Sequence, residues 1–270
     1  MMLPVLDSKK GMERKKDLPK QFNEEIREDL VKRAVLAIQS HKRLQYGASP
    51  LAGKRSSAKL SRRRRDYRGA YGLGISRVPR KILSRRGTRM NWVGAFAPGM
   101  RGGRKAHPPK SSKIFFQKIN TKERRKALRS ALAATVLTEL VRRRNHVLPE
   151  IYPFILDNNF ETVKRTKDLE NSLYLLGLGK ELERTDYSKI RAGKGKRRNR
   201  RYRKRKGPLI VVGADCSLIR AGRNMPGLDV VEVRKLNIEL LAPGAQVGRL
   251  TLFTENALDI MEKEKLFTIK

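Results

Sequence analysis

Apolar residues recur at helical spacing in the first long stretch of the chain, residues 24–42. Four of them repeat every three or four positions and two more lie alongside, which is the pattern of an amphipathic helix. These positions are Ile26, Leu30, Ala34 and Ala37, with Leu36 and Ile38 beside them. The pattern predicts a helix that buries one of its faces.

A second helical stretch covers residues 120–146. Its repeating apolar positions are Leu128, Leu132, Val136 and Leu140. Thr121 is the predicted N-cap, and Glu123 lies in the first turn. Residues 142–144 are all Arg, and the helix dipole favours cations at that C-terminal end. Two shorter helices are predicted over 166–184, with a break at glycine, and over 254–264, with Thr254 as N-cap.

Four short runs are continuously apolar, at residues 152–156, 209–213, 228–233 and 249–254. Each has the length of a strand and is rich in β-branched or aromatic residues. Such strands, when they alternate with helices, indicate a parallel sheet covered on both faces. The predicted fold class is therefore α/β, a three-layer α/β/α sandwich with a mostly parallel sheet.

Residues 43–110 show neither the apolar spacing of a helix nor the apolar runs of a buried strand. From His41 to Lys110 there are 20 Lys and Arg, one acid (Asp66), ten Gly and five Pro. Too few apolar side chains are present to offset a backbone ordering cost of about 1–2 kcal/mol per residue. We therefore predict a long extended basic loop, inserted near the N-terminus, which a partner outside the chain would order. Residues 1–42 and 111–270 are the predicted globular body, and 43–110 the predicted arm.

A second basic segment, the predicted loop 189–207, lies within the body. Residues 189–206 hold 12 Lys and Arg and no acid. Its charge fits a nuclear-localisation type of patch, a loop that binds a nucleic-acid backbone, or both. Charge alone leaves these alternatives open.

The net charge of the 270-residue chain is +38, and the two basic segments carry most of it. Such an excess calls for a polyanionic partner, either nucleic acid or an anionic membrane. No apolar run approaches the roughly 18 residues that span a bilayer, and the first residues lack the apolar core of a signal peptide. We expect a soluble intracellular protein without a membrane partner.

The arm mixes arginine with aromatic residues and glycine. Arg binds phosphates through two hydrogen bonds and stacks on bases, and aromatic rings offer platforms for unpaired bases. The residues predicted to bind RNA are Arg55, Arg62, Arg63, Arg64, Arg65, Tyr67, Arg68, Tyr71, Arg77, Arg80, Lys81, Arg85, Arg86, Arg89, Trp92, Phe96, Arg101, Arg104, Lys105, His107 and Lys110 in the arm, and Arg197, Arg198, Arg200 and Arg201 in the loop. A solvated basic linker with incidental aromatic residues is the alternative.

Motifs of enzymatic chemistry are missing from the sequence. Neither Gly-Leu-Gly triplet completes a dinucleotide fingerprint, no Gly-Lys pair is followed by Ser or Thr as in a P-loop, and no nucleophile elbow occurs. One cysteine, Cys216, and three scattered histidines exclude a zinc site of the Cys₄ or Cys₂His₂ type within this chain. We expect no catalysis, no cofactor and no metal. A DNA-compacting protein is the rival function, although such proteins usually rely on Lys-rich helices or tails.

Four segments carry a resemblance to a known family: "SPLAGKRS" (49–56), "SRVPRK" (76–81), "GAFAPGMRGGRKAHPPK" (94–110) and "RSALAATV" (129–136). In this order, on an α/β body, they resemble large ribosomal subunit protein four in its archaeal and eukaryotic form, and the length resembles the archaeal one. The resemblance implies a cytoplasmic structural constituent of the large ribosomal subunit, present as a monomer within the ribosome. Its implied partners are large-subunit ribosomal RNA and neighbouring ribosomal proteins.

The resemblance also implies a path for the arm. It would run inward through the RNA to the constriction of the nascent-peptide exit tunnel, with residues 71–86 at its tip near the nascent peptide. The implied tip residues are Gly72, Gly74, Ser76, Arg77, Val78, Pro79 and Arg80. Residues 97–110 would form the returning leg, enclosed by RNA.

Overall fold

A computed structural model describes residues 1–8 and 11–268 of the chain. The backbone divides into two compact units, one formed by Met1–Lys42 with Phe116–Lys270 and the other by Arg43–Phe115. We call them the body and the arm. The predicted body range also includes residues 9, 10, 269 and 270, which lie outside the described residues.

Helices and strands alternate through the body. Its helices are α1 (Glu28–His41), α2 (Thr121–Val136), α3 (Thr138–Arg143), α4 (Thr166–Leu175), α5 (Gly179–Asp186), α6 (Ser217–Gly222), α7 (Ile238–Leu241) and α8 (Glu255–Lys263). Its strands are β1 (Met2–Leu6), β2 (Met12–Asp17), β5 (Ile155–Leu156), β6 (Lys189–Ile190), β7 (Tyr202–Arg203), β8 (Leu209–Val212), β9 (Asp229–Glu232) and β10 (Thr251–Thr254). The arm contains β3 (Arg80–Arg86) and β4 (Arg89–Gly94).

Six strands of the body form a mostly parallel sheet in the order β2-β1-β5-β10-β8-β9. Strands β1, β5, β10, β8 and β9 run parallel to their neighbours, and β2 pairs antiparallel with β1 at one edge. The mixed α/β class and the mostly parallel sheet are thus confirmed. Two separate pairs of strands, β3-β4 and β6-β7, are antiparallel.

The central strands divide their side chains between two apolar clusters. Val211 and Phe253 belong to the first cluster, which also holds residues of α1, α2, α7 and α8. Ile210 and Leu252 belong to the second, which holds residues of α4, α5 and α6. Since successive side chains of a strand point to opposite faces, the continuous apolar runs read from the sequence fill two clusters.

Several predicted boundaries are wrong by a few residues. The helix predicted over 120–146 is two helices, because Leu137 between them has an extended backbone. Its N-cap is Asn120, one residue before the predicted Thr121. The strand predicted over 152–156 pairs only at Ile155 and Leu156.

The first helix also differs from the prediction at its start and on its face. It begins at Glu28, and Leu36 is exposed while Val35 is buried. The period of 3.6 residues allows either position beside the apolar face, so packing against α2 decides between them. Neither of the first two strands was predicted. Strand β1 is apolar throughout but contains Pro4, and β2 consists mostly of charged residues. The N-cap at Thr254 and the break near Gly177 are confirmed.

Candidate nucleic-acid interface

The arm is more regular than its composition predicts. Strands β3 and β4 form an antiparallel hairpin around a turn at Gly87, whose φ is +58°. A bulge at Leu83 shifts the register of the pairing. The prediction of a loop with little structure is therefore wrong over residues 80–94, where the glycine supplies the left-handed backbone that a tight turn needs.

The outgoing and returning legs of the arm lie against each other. The N–H of Ala48 donates to the carbonyl of Pro109 over 3.0 Å. Gly53 has a φ of +72°, and a Cβ placed there would lie 2.4 Å from the backbone nitrogen of Arg104. Because only glycine allows that approach and that backbone conformation, Gly53 sets the spacing between the legs.

Arg80 holds the base of the hairpin. It is 8% exposed, and its guanidinium donates to the carbonyl of Val78 and to Oγ of Ser76, each over 3.3 Å. The same group lies 5.3 Å from the ring centroid of Trp92, and the backbone of Arg80 pairs with Lys59. Arg80 therefore has internal partners as well as its predicted contact with RNA.

Aromatic rings in the arm carry arginines on their faces. Arg77 lies 4.4 Å from the ring centroid of Tyr71, and Arg68 lies 5.2 Å from that of Tyr67. In such a pair the guanidinium lies against one face of the ring. The arginine can still bind a phosphate, and the opposite face of the ring can still stack on a base.

Most of the residues predicted to bind RNA are exposed. The exposed ones are Arg55, Arg62, Arg63, Arg64, Arg65, Tyr67, Tyr71, Arg77, Arg85, Arg86, Arg89, Phe96, Arg101, Lys105, His107, Lys110, Arg197, Arg198, Arg200 and Arg201. Arg68, Lys81, Trp92 and Arg104 are half-buried. The implied tip is exposed from Gly72 to Arg77 and half-buried at Val78 and Pro79.

The arm has almost no apolar core. Within the described residues, its buried apolar side chains are those of Ala70 and Ala95. Its exposed large apolar residues are Leu44, Tyr46, Leu51, Tyr67, Tyr71, Leu73, Ile75, Leu83, Val93, Phe96 and Ile114. Side chains of this kind are normally scattered singly on a surface. Their density here, beside so many cations, indicates a surface that another molecule covers.

A groove of about 710 Å³ lies between the two legs of the arm. Its lining comes from residues 48–54 and 103–112, with Lys54, Arg104, Lys105 and Lys110 as its cations and no acid. The single acid of the arm, Asp66, accepts a hydrogen bond from Ser61, and this bond with those of the neighbouring backbone lowers its pKa. Asp66 thus serves the local turn, and the groove stays cationic.

The basic loop of the body is a small hairpin. Strands β6 and β7 pair antiparallel, and a helical turn over Gly193–Arg198 ends at Asn199, whose φ is +58°. The hairpin displays its arginines to solvent, and Arg201 lies 5.6 Å from the ring centroid of Tyr202.

A buried ionic cluster supports the base of this hairpin. Arg184 donates two hydrogen bonds of 2.7 Å to the carboxylate of Glu181 and one of 2.9 Å to the carbonyl of Lys206. Burial raises the pKa of Glu181, but the hydrogen bonds from Arg184, His146 and the N–H of Val147 outweigh it, and the pKa lies below its ordinary value. Glu181 is therefore a charged anchor for the hairpin.

Two observations concern other chemistry. No group of His, Cys, Asp or Glu suited to a metal ion occurs among residues 1–8 and 11–268. Within the same described residues, no helix is long and apolar enough to span a bilayer.

A family model described as "Ribosomal protein L4/L1 family" matches residues 16–264. The chain belongs to this family. The match includes the whole arm and the basic hairpin of the body.

Curated relatives in the family are similar over nearly their full lengths. "Large ribosomal subunit protein uL4" of Nanoarchaeum equitans is 54% identical over 252 residues, which cover 93% of this chain and 94% of the relative. The protein of the same name from Archaeoglobus fulgidus is 44% identical over 265 residues, covering 97% and 98%. That of Methanoculleus marisnigri is 46% identical over 248 residues, covering 92% and 93%.

Sequence reasoning missed two groups of residues in this family member. At the base of the arm, Tyr46 stacks on Phe115 at 5.6 Å between centroids, and Arg43 lies 4.2 Å from the same centroid. The aromatic residues near both ends of the basic segment are a signal that could have indicated this closure. Arg144 and Arg184, beside the basic hairpin, lie in ordinary helical patterns that carry no such signal.

The His146–Glu181 pair predicts a loss of stability in acid. Burial lowers the pKa of His146 despite Glu181, whose Oε1 lies 2.6 Å from Nδ1. In the unfolded chain, His146 therefore takes up a proton near pH 6.5, whereas in the folded chain it stays neutral at that pH. The contribution of His146 to the free energy of unfolding is fully present above that pH. Below it the contribution falls, by up to about 1.4 kcal/mol per pH unit for this one proton. Below about pH 4.5, protonation of Glu181 adds to the loss.

Denaturant unfolding between pH 7 and pH 5 measures this effect. His146→Gln keeps an amide donor for Glu181 but does not titrate, so its free energy of unfolding should depend less on pH over this range. The same substitution at the exposed His107 is the matched control. Equal pH slopes for the wild type and His146→Gln would contradict the assignment.

Proposed function

We propose that this chain is a structural constituent of the large ribosomal subunit and binds large-subunit ribosomal RNA. Membership of the family supports this, as do relatives named for the large ribosomal subunit that match over almost their whole lengths. The protein works in the cytoplasm as part of the ribosome. Its role is structural, with no catalysis and no cofactor.

RNA holds the arm in place. The surface of the arm supports this, because exposed arginines lie there among exposed large apolar residues. The buried apolar side chains of the described arm are those of two alanines. So small a core does not offset the entropy of ordering more than seventy residues. Phosphates neutralise the arginines, and bases and riboses cover the rings.

The arm tip reaches the nascent-peptide exit tunnel. The placement of the tip at the tunnel rests on the family resemblance of "SRVPRK" and on the backbone conformation of residues 71–79. Gly72 and Gly74 both have positive φ, and the side chains of Leu73, between them, and Ile75, after them, are exposed. Such a tip would present tight glycine turns and apolar side chains to the wall of a narrow tunnel. Neighbouring ribosomal proteins and the nascent peptide are its partners, and the protein is a monomer within the ribosome.

The body has the proposed three-layer architecture, with helices on both faces of the sheet. The division of strand side chains between two clusters, each with its own helices, supports it. Residues 1–42 and 111–270 are the proposed body, 43–110 the RNA-penetrating arm and 189–207 a basic loop of the body.

Ultraviolet crosslinking in cells, with sequencing of the attached nucleic acid, tests the function directly. We expect dense crosslinks from residues 60–110 to large-subunit ribosomal RNA. Crosslinks spread over messenger RNA would refute the proposal. Crosslinks mainly to DNA would favour the DNA-compacting alternative.

A further inference from the structure

A cleft of about 860 Å³ opens at the base of the basic hairpin, wholly within the body. Its walls come from three segments of the chain: the end of α3 at Arg144, the end of α5 with the first strand of the hairpin at residues 184–189, and the end of the hairpin at residues 203–206. A turn at residues 243–246 closes one side. None of these residues belongs to the arm.

The lining of the cleft is strongly cationic. It contains seven Lys and Arg and no acid. Arg184 is paired with Glu181, and Lys206 with Asp229. Within residues 1–8 and 11–268, the side chains of Lys189, Arg203 and Lys204 make no ion pair or hydrogen bond. The folded body therefore collects positive charge here that its own carboxylates do not neutralise.

Arg144 lines the cleft and has no carboxylate partner among the described residues. Its guanidinium donates to the carbonyl of Pro243 over 2.6 Å and to that of Gln246. Burial, together with the nearby charges of Arg249 and Arg184, lowers the pKa of Arg144 to about 10. An anion in the cleft would relieve this repulsion, and fixed donors bind anions with little loss of side-chain entropy.

An aromatic ring lines the same cleft. Tyr187 is 60% exposed, and the guanidinium of Arg205 lies 5.2 Å from its ring centroid. A ring with a cation on its face is a stacking platform for an unpaired base. A single inorganic phosphate would neutralise about two charges, whereas a run of phosphodiesters would meet all the unpaired cations and also supply a base to Tyr187.

We infer that this cleft is a second RNA site of the protein, which binds the sugar–phosphate backbone of a single-stranded or looped RNA segment independently of the arm. The inference deepens the proposed ribosomal function and rests on it. It assigns phosphate contacts to Lys189, Arg203 and Lys204, and base stacking to Tyr187. The exposed arginines at the far end of the hairpin would extend the same contact along the strand.

The variant Arg203→Gln/Lys204→Gln tests the site. Both side chains are exposed and neither has a partner among the described residues, so the body should fold normally. The full chain is titrated with a transcript of large-subunit ribosomal RNA over a series of salt concentrations, and the bound RNA is footprinted. The matched control is Lys32→Gln/Lys167→Gln, which removes the same charge from exposed helix positions.

We expect several-fold weaker binding and a salt slope shallower by about 1.4–1.8, the value for two lost phosphate contacts. One set of protected nucleotides should disappear while those of the arm remain, and the control should match the wild type. An unchanged slope and footprint would overturn the inference but leave the proposed function standing if arm variants lose binding. A wild-type chain that does not bind the transcript would overturn both.

A second measurement distinguishes RNA from a small anion. Inorganic phosphate is titrated against the wild type and the same variant, with the thermal transition as readout. Weak stabilisation that is equal in both supports the RNA site. Stabilisation by phosphate that the variant loses, together with an unchanged RNA footprint, would identify a small-anion site and overturn the inference.

Discussion

Replacing Arg101 and Arg104 together by Glu should abolish incorporation of the protein into large subunits while leaving the body folded. Arg104 lines the groove between the legs, and Arg101 is exposed beside it. Neither side chain makes an ion pair within the described residues, so the substitutions break no ion pair there and act on the proposed contact with RNA. Glutamate reverses both charges against phosphates that the arm must approach closely.

Two readouts measure the effect. Sedimentation of cell extracts should show the variant outside the large subunit. Binding of the purified chain to a large-subunit RNA transcript should weaken on the order of 10- to 100-fold, with a salt slope shallower by at least about 1.4–1.8. Lys32→Glu/Lys167→Glu changes the net charge equally on the body and is the control. A variant that enters subunits normally would refute the role of the arm.

Arg249→Met should destabilise the body more than any surface change. Arg249 is fully buried and donates to the carbonyls of Gly207, Leu240 and Pro208 and to Oδ2 of Asp229 over 2.6 Å. Methionine keeps much of the apolar stem but leaves three carbonyls and a carboxylate without this donor. We expect the free energy of unfolding to fall by about 3–5 kcal/mol.

The carboxylate and the carbonyls can be separated by a second substitution. Burial raises the pKa of Asp229, but Arg249 and Lys206 outweigh it and the pKa lies below its ordinary value. In Arg249→Met, Lys206 alone pairs with the partly buried carboxylate of Asp229. Adding Asp229→Asn removes that charge, so part of the stability should return.

An exposed arginine provides the control for this pair of variants. Arg234 is paired with Glu264 at the surface, and Arg234→Met should leave the thermal transition almost unchanged. A thermal transition of Arg249→Met close to that of the wild type would refute the structural role of Arg249.

The longer helices and the central strands were predictable because they depend on local chemistry. The apolar run at 209–213 has the side chains of a strand covered on both faces, and the structure places β8 in the middle of the sheet. Thr254 accepts a hydrogen bond from the N–H of Ala257, as its position before an apolar segment indicates. By contrast, nothing local distinguishes Leu36 from Val35 as the residue that faces solvent.

The basic and aromatic character of the arm is visible in the sequence, but its internal contacts are not. Arg80 looks like its neighbouring arginines in the sequence, yet it is buried against Trp92 and Val78. Gly53 looks like any loop glycine in the sequence, yet the backbone of the returning leg passes so close that a Cβ at this position would clash with it. The role of Gly53 depends on a pairing of the legs that joins residues about fifty positions apart, and that of Arg80 depends on the hairpin partner Trp92.

The sequence by itself determined the α/β class, the position of the arm and the need for a polyanionic partner. Each follows from short-range periodicity or from charge, which a linear reading preserves. Tertiary structure alone decided the strand order, the pairing of Arg249 with Asp229 and the cationic cleft around Arg144 and Arg184. Those features bring together side chains from separate elements, and their positions follow from packing over the whole sheet, which no local pattern encodes.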